Sequence, residues 1–402
     1  MGTLNEKAKE HLSYLCGSIE NRCVGSTGNL TATKYFKEQL EANDWQTEHQ
    51  VFDAFDWESE YASIETDKIK LNAFSTPYSE SCSLEAEFAV VSTVEELKQI
   101  SAQNKILVVK GELAKEQLMP KNFIFYNPDH HKTIISLFET SGAEALIFIV
   151  NKSGVYEGGE YPFPIIEDGD FKIPSVYISE ETGEQLLNHL SEKIRVISQT
   201  NITPSEACNI IGRKGDNSAK KITITAHIDA KKGSPGAIDN ATGVATMLLL
   251  SELLKQYNGI YQLELVALNG EDYYSVPGQM VYIKHKQGDF SDIKLNINID
   301  GAGLHKGKTS FALMNLNDEH AKTAKAVFSE FPGLIEGKPW VQGDHSIFLQ
   351  FGVPAVAISS EWLLNNLENQ QITHTENDNP SIVDISKIVE LAEAISTLIV
   401  KL

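Results

Sequence analysis

The stretch KITITAHIDAKKGSPGAIDNATGVATMLLLSELLKQY, residues 221–257, decides the fold. Its first eight residues, KITITAHI, alternate in the manner of a strand. The glycine- and proline-bearing segment GSPGAIDN (233–240) reads as a loop. ATGVATMLLLSELLKQY (241–257) then reads as a long helix. The pattern of strand, loop and helix repeats to the end of the chain. YQLELVAL (261–268), DIKLNINID (292–300) and VPAVAIS (353–359) read as strands. DEHAKTAKAVFSEF (318–331) and SKIVELAEAISTLIVKL (386–402) read as helices, and residues 270–286 contain a loop followed by a helix. Alternation of this kind predicts a mixed, mostly parallel α/β sheet sandwiched by helices. Ligand sites in such sheets lie in the loops at the carboxyl ends of the strands.

Working back toward the N-terminus, residues 4–44 show helical periodicity, and QTEHQVFDAF (46–55) reads as a strand. Between about 60 and 200 the texture changes. Short β runs, EAEFAVVS (85–92), KILVVKG (105–111), ALIFIVN (145–151) and PSVYIS (174–179), alternate with helical patterns and turns. This stretch is expected to form a compact inserted domain, α/β or β-rich, over 59–205. The main domain is then split into 1–58 and 206–402. The adjacent histidines His130 and His131 of this region read as a helix start. No cysteine or acid neighbours them at metal-ligand spacing in the sequence.

The chain has 402 residues, long enough for more than one core. Its 55 acids against 34 bases give a net charge of −21, which repels phosphate backbones and argues against a nucleic-acid partner. Apolar runs such as Leu146 to Val150 and Met247 to Leu250 fall far short of a bilayer's thickness, so no membrane role is expected. The N-terminal segment is polar and amphipathic without a signal-peptide core. Cytoplasmic residence is expected on that ground, or secretion if a leader has been removed. The four cysteines, Cys16, Cys23, Cys82 and Cys208, form no CxxC pair and read as reduced thiols, with a Cys16–Cys23 bridge left open.

Five residues of metal-ligating type fall at or just past strand ends: His227, Asp239, Asp272, Asp300 and His374. Taken singly, each has a bland explanation. His227 is a strand-end histidine, Asp239 a helix cap, Asp300 a turn residue before Gly301, and His374 a loop histidine. Their joint placement is what argues for metal. Two imidazoles and three carboxylates suit zinc, and five ligands with one carboxylate shared give three per ion. Glu271, directly before Asp272, would then be a free carboxylate beside the metals and a natural general base.

Six segments carry a resemblance: AHIDA (226–230), GSPGAIDNATGVATMLLLSELL (233–254), ALNGEDYYSVPGQMVY (267–282), NINIDGAG (296–303), GDHSIF (343–348) and THTENDN (373–379). In this order they resemble the co-catalytic di-zinc aminopeptidases, a family whose relatives include aminopeptidase Y and glutamate carboxypeptidase. NRCVGSTGNLTATKYFKEQLE (21–41) resembles the family's usual start. SGAEALIFIVN (141–151) and IPSVYISEETGEQLL (173–187) resemble a protease-associated domain inserted ahead of the histidine motif.

The resemblance implies that two Zn2+ ions are held per chain. His227, Asp239 and Asp300 would hold one, and Asp239, Asp272 and His374 the other. Glu271 would be the general base, and Asp229 would orient His227. Asp344 and His345 match a motif near the substrate pocket, with no catalytic step assigned. Asp272 stands where the family more often has Glu, so either its backbone sits nearer the metal or that site is the weaker one, and its occupancy stays open. Thr373 stands where some relatives have Tyr. The implied activity is hydrolysis of N-terminal residues from peptides. Carboxypeptidase or dipeptidase action, glutaminyl cyclisation and a non-catalytic role on the same scaffold remain as alternatives. Candidates to hold the substrate terminus are Glu336, Asp344 and Glu361 for an ammonium, or Lys232, Lys306 and Lys338 for a carboxylate. The preferred residue and the oligomeric state stay open.

Overall fold

The computed structural model describes residues 2–123, 127–152, 158–190, 192–272, 278–340 and 342–402. The five residues 273–277 of the segment 267–282 therefore lie outside the described residues. The chain divides into two units. One runs to Ala54 and resumes at Ser205, and the other is Phe55–Pro204.

In the first unit four parallel strands form the centre of the sheet: Gln262–Leu268, Lys221–His227, Ile293–Ile299 and Ala355–Ser360, in that spatial order. Antiparallel strands flank them. Residues 210–214 pair with Gln262–Leu268 on one side, and Thr309–Met314 pairs with Ala355–Ser360 on the other. Thr309–Met314 does not stand out in the sequence reading, and neither does the short strand Leu334–Glu336 beyond it.

Register sets the positions of the candidate ligands. Leu268 pairs with His227, so the loop from Asn269 starts level with that histidine. Asn298 pairs with Thr225, so Asp300, two residues on, also draws level with His227. The parallel ladder thus brings these chain segments to one edge of the sheet.

Helix Thr242–Leu253 is apolar all round, and every residue from Thr242 to Ser251 is buried. A helix without a polar face must be covered on all sides. The strand Lys221–His227, the helix Leu4–Ser13 and the amphipathic helix Ile385–Lys401 provide that cover. Its first turn approaches the sheet closely because Gly243 carries no Cβ. A methyl group there would lie 2.4 Å from Asn240 Oδ1 and 2.7 Å from the Ile299 carbonyl.

The second unit contains the parallel strands Cys82–Val91, Lys105–Val109, Ala145–Val150 and Ser175–Ser179. Helices Val94–Gln99, Asp129–Thr140 and Glu180–Asn188 lie between or after them in the chain, so the unit is α/β in composition. ALIFIV (145–150) is buried throughout. Leu146, Phe148 and Val150 feed one apolar cluster, whereas Ala145, Ile147 and Ile149 feed another. A sheet covered on both faces selects continuous apolar strands of this kind.

The Gly243 contact yields a test. Gly243→Ala should destabilise the protein by about 1–3 kcal/mol through overpacking, read from a chemical-denaturation midpoint. An unchanged midpoint would show that the helix can shift without cost.

Candidate metal centre

The five predicted ligands converge. Asp239 sits between the two histidines, with Oδ1 3.0 Å from His227 Nε2 and Oδ2 3.2 Å from His374 Nε2. Asp300 Oδ1 is 3.6 Å from His227 Nε2, and Asp272 Oδ1 is 3.0 Å from His374 Nε2. The arrangement is two half-sites sharing one carboxylate, each with one histidine and one further aspartate. Asp272 reaches its histidine although it is one methylene shorter than Glu.

Local structure aims these groups. His227 Nδ1 lies 3.2 Å from the Asp229 carbonyl, which fixes the proton on Nδ1 and leaves the Nε2 lone pair facing the carboxylates. The Asp229 carboxylate serves the neighbouring loop. Its Oδ1 accepts from the Gly270 and Glu271 amides at 2.7 and 3.3 Å, and its Oδ2 accepts from the Asp272 amide at 3.0 Å. One buried aspartate therefore anchors both Glu271 and Asp272. The sequence reading gives Asp229 the task of orienting His227. Its carboxylate is 3.7 Å from His227 Nδ1, and its hydrogen bonds go mainly to the loop.

Two further residues, missed in the sequence, shape the loop that carries Asp239. Asp378 is fully buried, and its two carboxylate oxygens accept from the Ile238 and Asp239 amides at 2.6 and 3.0 Å. It lies four residues after His374 inside THTENDN, so its position in a quoted motif was the available signal. Asn240 donates to the Ile299 carbonyl at 2.8 Å, tying the Asp239 loop to the strand that ends at Asp300. The Asp239–Asn240 peptide is cis. His374 adopts a φ of 64°, in the left-handed region sparsely used by residues other than glycine.

The donor set fits divalent cations. His227 Nε2 and Asp272 Oδ2 are buried without a hydrogen-bond partner. Close approach of nitrogen and oxygen without hydrogen-bond alignment is how donors surround an ion. His227, Asp239 and Asp272 each offer an atom within 4.8 Å of the others. His227 and Asp272 are closed off, whereas Asp239, His374 and Asp300 keep 13%, 16% and 24% side-chain exposure, so the centre opens on one side.

Electrostatics follow from packing so many acids together. Burial opposes ionisation of Asp239, but His227 and His374 on either side hold its carboxyl below the ordinary range. Burial pushes Glu271 well above its ordinary value. His227 opposes this, and Asp300, Asp272 and Asp344 reinforce it. Asp344 is buried with Gln279 donating to it at 3.1 Å. Burial raises its carboxyl to about 7, with Asp300 and Asp229 adding to the effect and His227 opposing it. His345 donates to the Trp340 carbonyl across 2.9 Å.

Of the other acids considered for a substrate terminus, Glu336 pairs with Lys325 at 2.8 Å and Glu361 accepts from the Lys308 amide. Lys306 lies over the Trp362 ring. The four cysteines form no disulfide, the Cys16–Cys23 pair included.

In the second unit, Glu116 comes to the histidine pair that had no acid at metal-ligand spacing in the sequence. His130 Nε2 lies 3.4 Å and His131 Nε2 3.8 Å from its carboxylate. The Met119 amide donates to His131 Nδ1 at 3.1 Å, so the neutral ring carries its proton on Nε2, facing Glu116. At 3.8 Å His131 Nε2 makes no hydrogen bond, and Glu116, His130 and His131 each offer an atom within 4.8 Å of the others, a second acid–histidine cluster. His130 opens the helix Asp129–Thr140, as the sequence suggests.

A model of peptidase family M28 matches residues 209–399, the span holding every candidate ligand. Residues 209–399 are thus similar to peptidase family M28 domains. It is 27% identical over 264 residues to aminopeptidase YwaD of Bacillus subtilis (strain 168), covering 62% of this chain and 54% of that protein. The chain thus spans about half the length of this curated relative. In fold it is similar to an aminopeptidase from Aneurinibacillus sp. strain AM-1, with a TM-score of 0.74, 19% identity, and 98% and 93% of the two chains covered. It is equally similar to BSAP, a zinc aminopeptidase from Bacillus subtilis, at TM-score 0.74 and 18% identity, with 99% and 94% covered. Among the described residues, no helix is long and apolar enough to cross a membrane.

The raised carboxyls give a pH prediction. Asp344 has a folded pKa of about 7, above the unfolded value near 4. Between those values the folded chain retains a proton that the unfolded chain has lost, so this group's contribution falls as pH rises. Metal-stripped wild-type protein should lose stability relative to Asp344→Asn between pH 5 and pH 8, measured by thermal unfolding. A wild-type advantage that grows over this interval would contradict the assignment.

Proposed function

We propose that the chain is a zinc-dependent aminopeptidase that removes N-terminal residues from peptides. One observation carries the reading: the two oxygens of Asp239 face the imidazoles of His227 and His374 at 3.0 and 3.2 Å, each with a further aspartate beside it. His227, Asp239 and Asp300 would hold one Zn2+, and Asp239, Asp272 and His374 the other. Bound there, the pair would polarise the scissile carbonyl and make water a stronger nucleophile at neutral pH. Glu271 takes the proton from the attacking water and passes it to the leaving amine. Asp229, gripping the amides of residues 270–272, holds Glu271 in place while it does so.

Release of an N-terminal residue requires a place for an ammonium. Two bound cations would lower the carboxyl pKa values of Glu271 and Asp344 from their raised positions. Once ionised they suit that cation better than a terminal carboxylate, which supports aminopeptidase over carboxypeptidase action. Glutaminyl cyclisation needs one zinc and no use for the His227–Asp300 half-site. For Phe55–Pro204 we retain the protease-associated resemblance carried by residues 141–151 and 173–187.

The direct test is mass spectrometry of a mixed peptide library incubated with zinc-loaded protein, with a chelator control. Chelator-sensitive loss of N-terminal residues is expected. Loss of C-terminal residues, or of ammonia from N-terminal glutamine, would overturn the reading. Glu271→Gln should keep its zinc, measured by elemental analysis, and lose about 100- to 10,000-fold in turnover. Near wild-type turnover would remove Glu271 from the role of base.

A further inference from the structure

Arg22 is far from the candidate ligands in sequence, yet it is only 3% exposed and has its guanidinium turned into the main chain. It donates to four carbonyls. Nε reaches Ile228 at 3.2 Å, one η nitrogen reaches Leu15 and Pro235 at 2.8 Å each, and the other reaches Gly236 at 2.8 Å. Ile228 directly follows His227, whereas Pro235 and Gly236 shortly precede Asp239. One planar cation therefore staples the two ends of the loop that separates these ligands. Leu15 ties the staple to the N-terminal helical segment.

Gly236 completes the fit. Its φ is 58°, and a methyl group on it would lie 2.7 Å from the guanidinium and 2.6 Å from the Asp239 carbonyl. Asp378 holds the next stretch by its opposite pole, taking the amides of Ile238 and Asp239. Carbonyls on one side and amides on the other leave the Asp239 backbone little freedom.

We infer that Arg22 is a positioning residue for the metal pair, fixing the separation between His227 and the bridging Asp239. This rests on the zinc-peptidase reading above. A lysine could not replace it, because a single ammonium lacks the planar fork that reaches carbonyls in three directions. The buried charge is tolerable because its donors are satisfied by carbonyl oxygens.

The test uses full-length wild type, Arg22→Lys and Gly236→Ala, titrated with zinc against a competing chelator. Thermal unfolding of the metal-free proteins and circular dichroism run in parallel. Both variants should bind zinc about 10- to 100-fold more weakly. Peptidase activity should recover on adding excess zinc, with KM for a peptide unchanged. Gly236→Ala perturbs the staple without removing the buried charge, so it carries the test if Arg22→Lys does not fold. Wild-type zinc affinity in a folded variant would overturn the assignment of Arg22. Failure of the wild type itself to bind zinc would overturn the reading beneath it.

Discussion

The structure depends on one carboxylate standing between two imidazoles. Asp239 presents an oxygen to His227 and the other to His374, and each imidazole has a second aspartate beside it. So many acids at close range repel one another, and only cations or protons make the cluster stable. Much of the surrounding architecture answers this constraint. Asp229 and Asp378 accept backbone amides from the two ligand loops, and Arg22 donates to the carbonyls of one of them. The loops are thereby held through their main-chain dipoles, and buried side chains such as Ile238, packed with Leu304 and Leu363, add to the hold.

The fold supplies the other half. Parallel pairing of Gln262–Leu268, Lys221–His227 and Ile293–Ile299 makes three strands end together. The buried helix Thr242–Leu253 fixes the loop before it against the sheet, because Gly243 and Asn240 allow close approach to Ile299. Helix, sheet edge and ligand loop therefore form one rigid arrangement, which is what a metal pair needs to hold its geometry.

The strands and helices that position the ligands were legible in the sequence, because their periodicity is strong and their ends carry His227 and Asp300. The ligands themselves were legible as residue types at those ends. Arg22 was not, because nothing in a sequence shows that a cation some 200 positions away in the chain will point at main-chain carbonyls. Asp378 reads in sequence as one more acid in a polar loop, and its role appears only when the Ile238 and Asp239 amides are seen to face it. The strand Thr309–Met314 was hidden for a different reason. It is antiparallel to the central strands, and its identity comes from pairing with Ala355–Ser360. Glu116 reaches His130 and His131 only once the second unit has folded.

The most direct measurement is a crystal structure of the zinc-loaded protein with anomalous data at the zinc edge. Two peaks about 3.5–4 Å apart are expected, one against His227 and Asp300, the other against His374 and Asp272, with Asp239 touching both. A single peak, or an Asp239 that touches only one ion, would contradict that expectation.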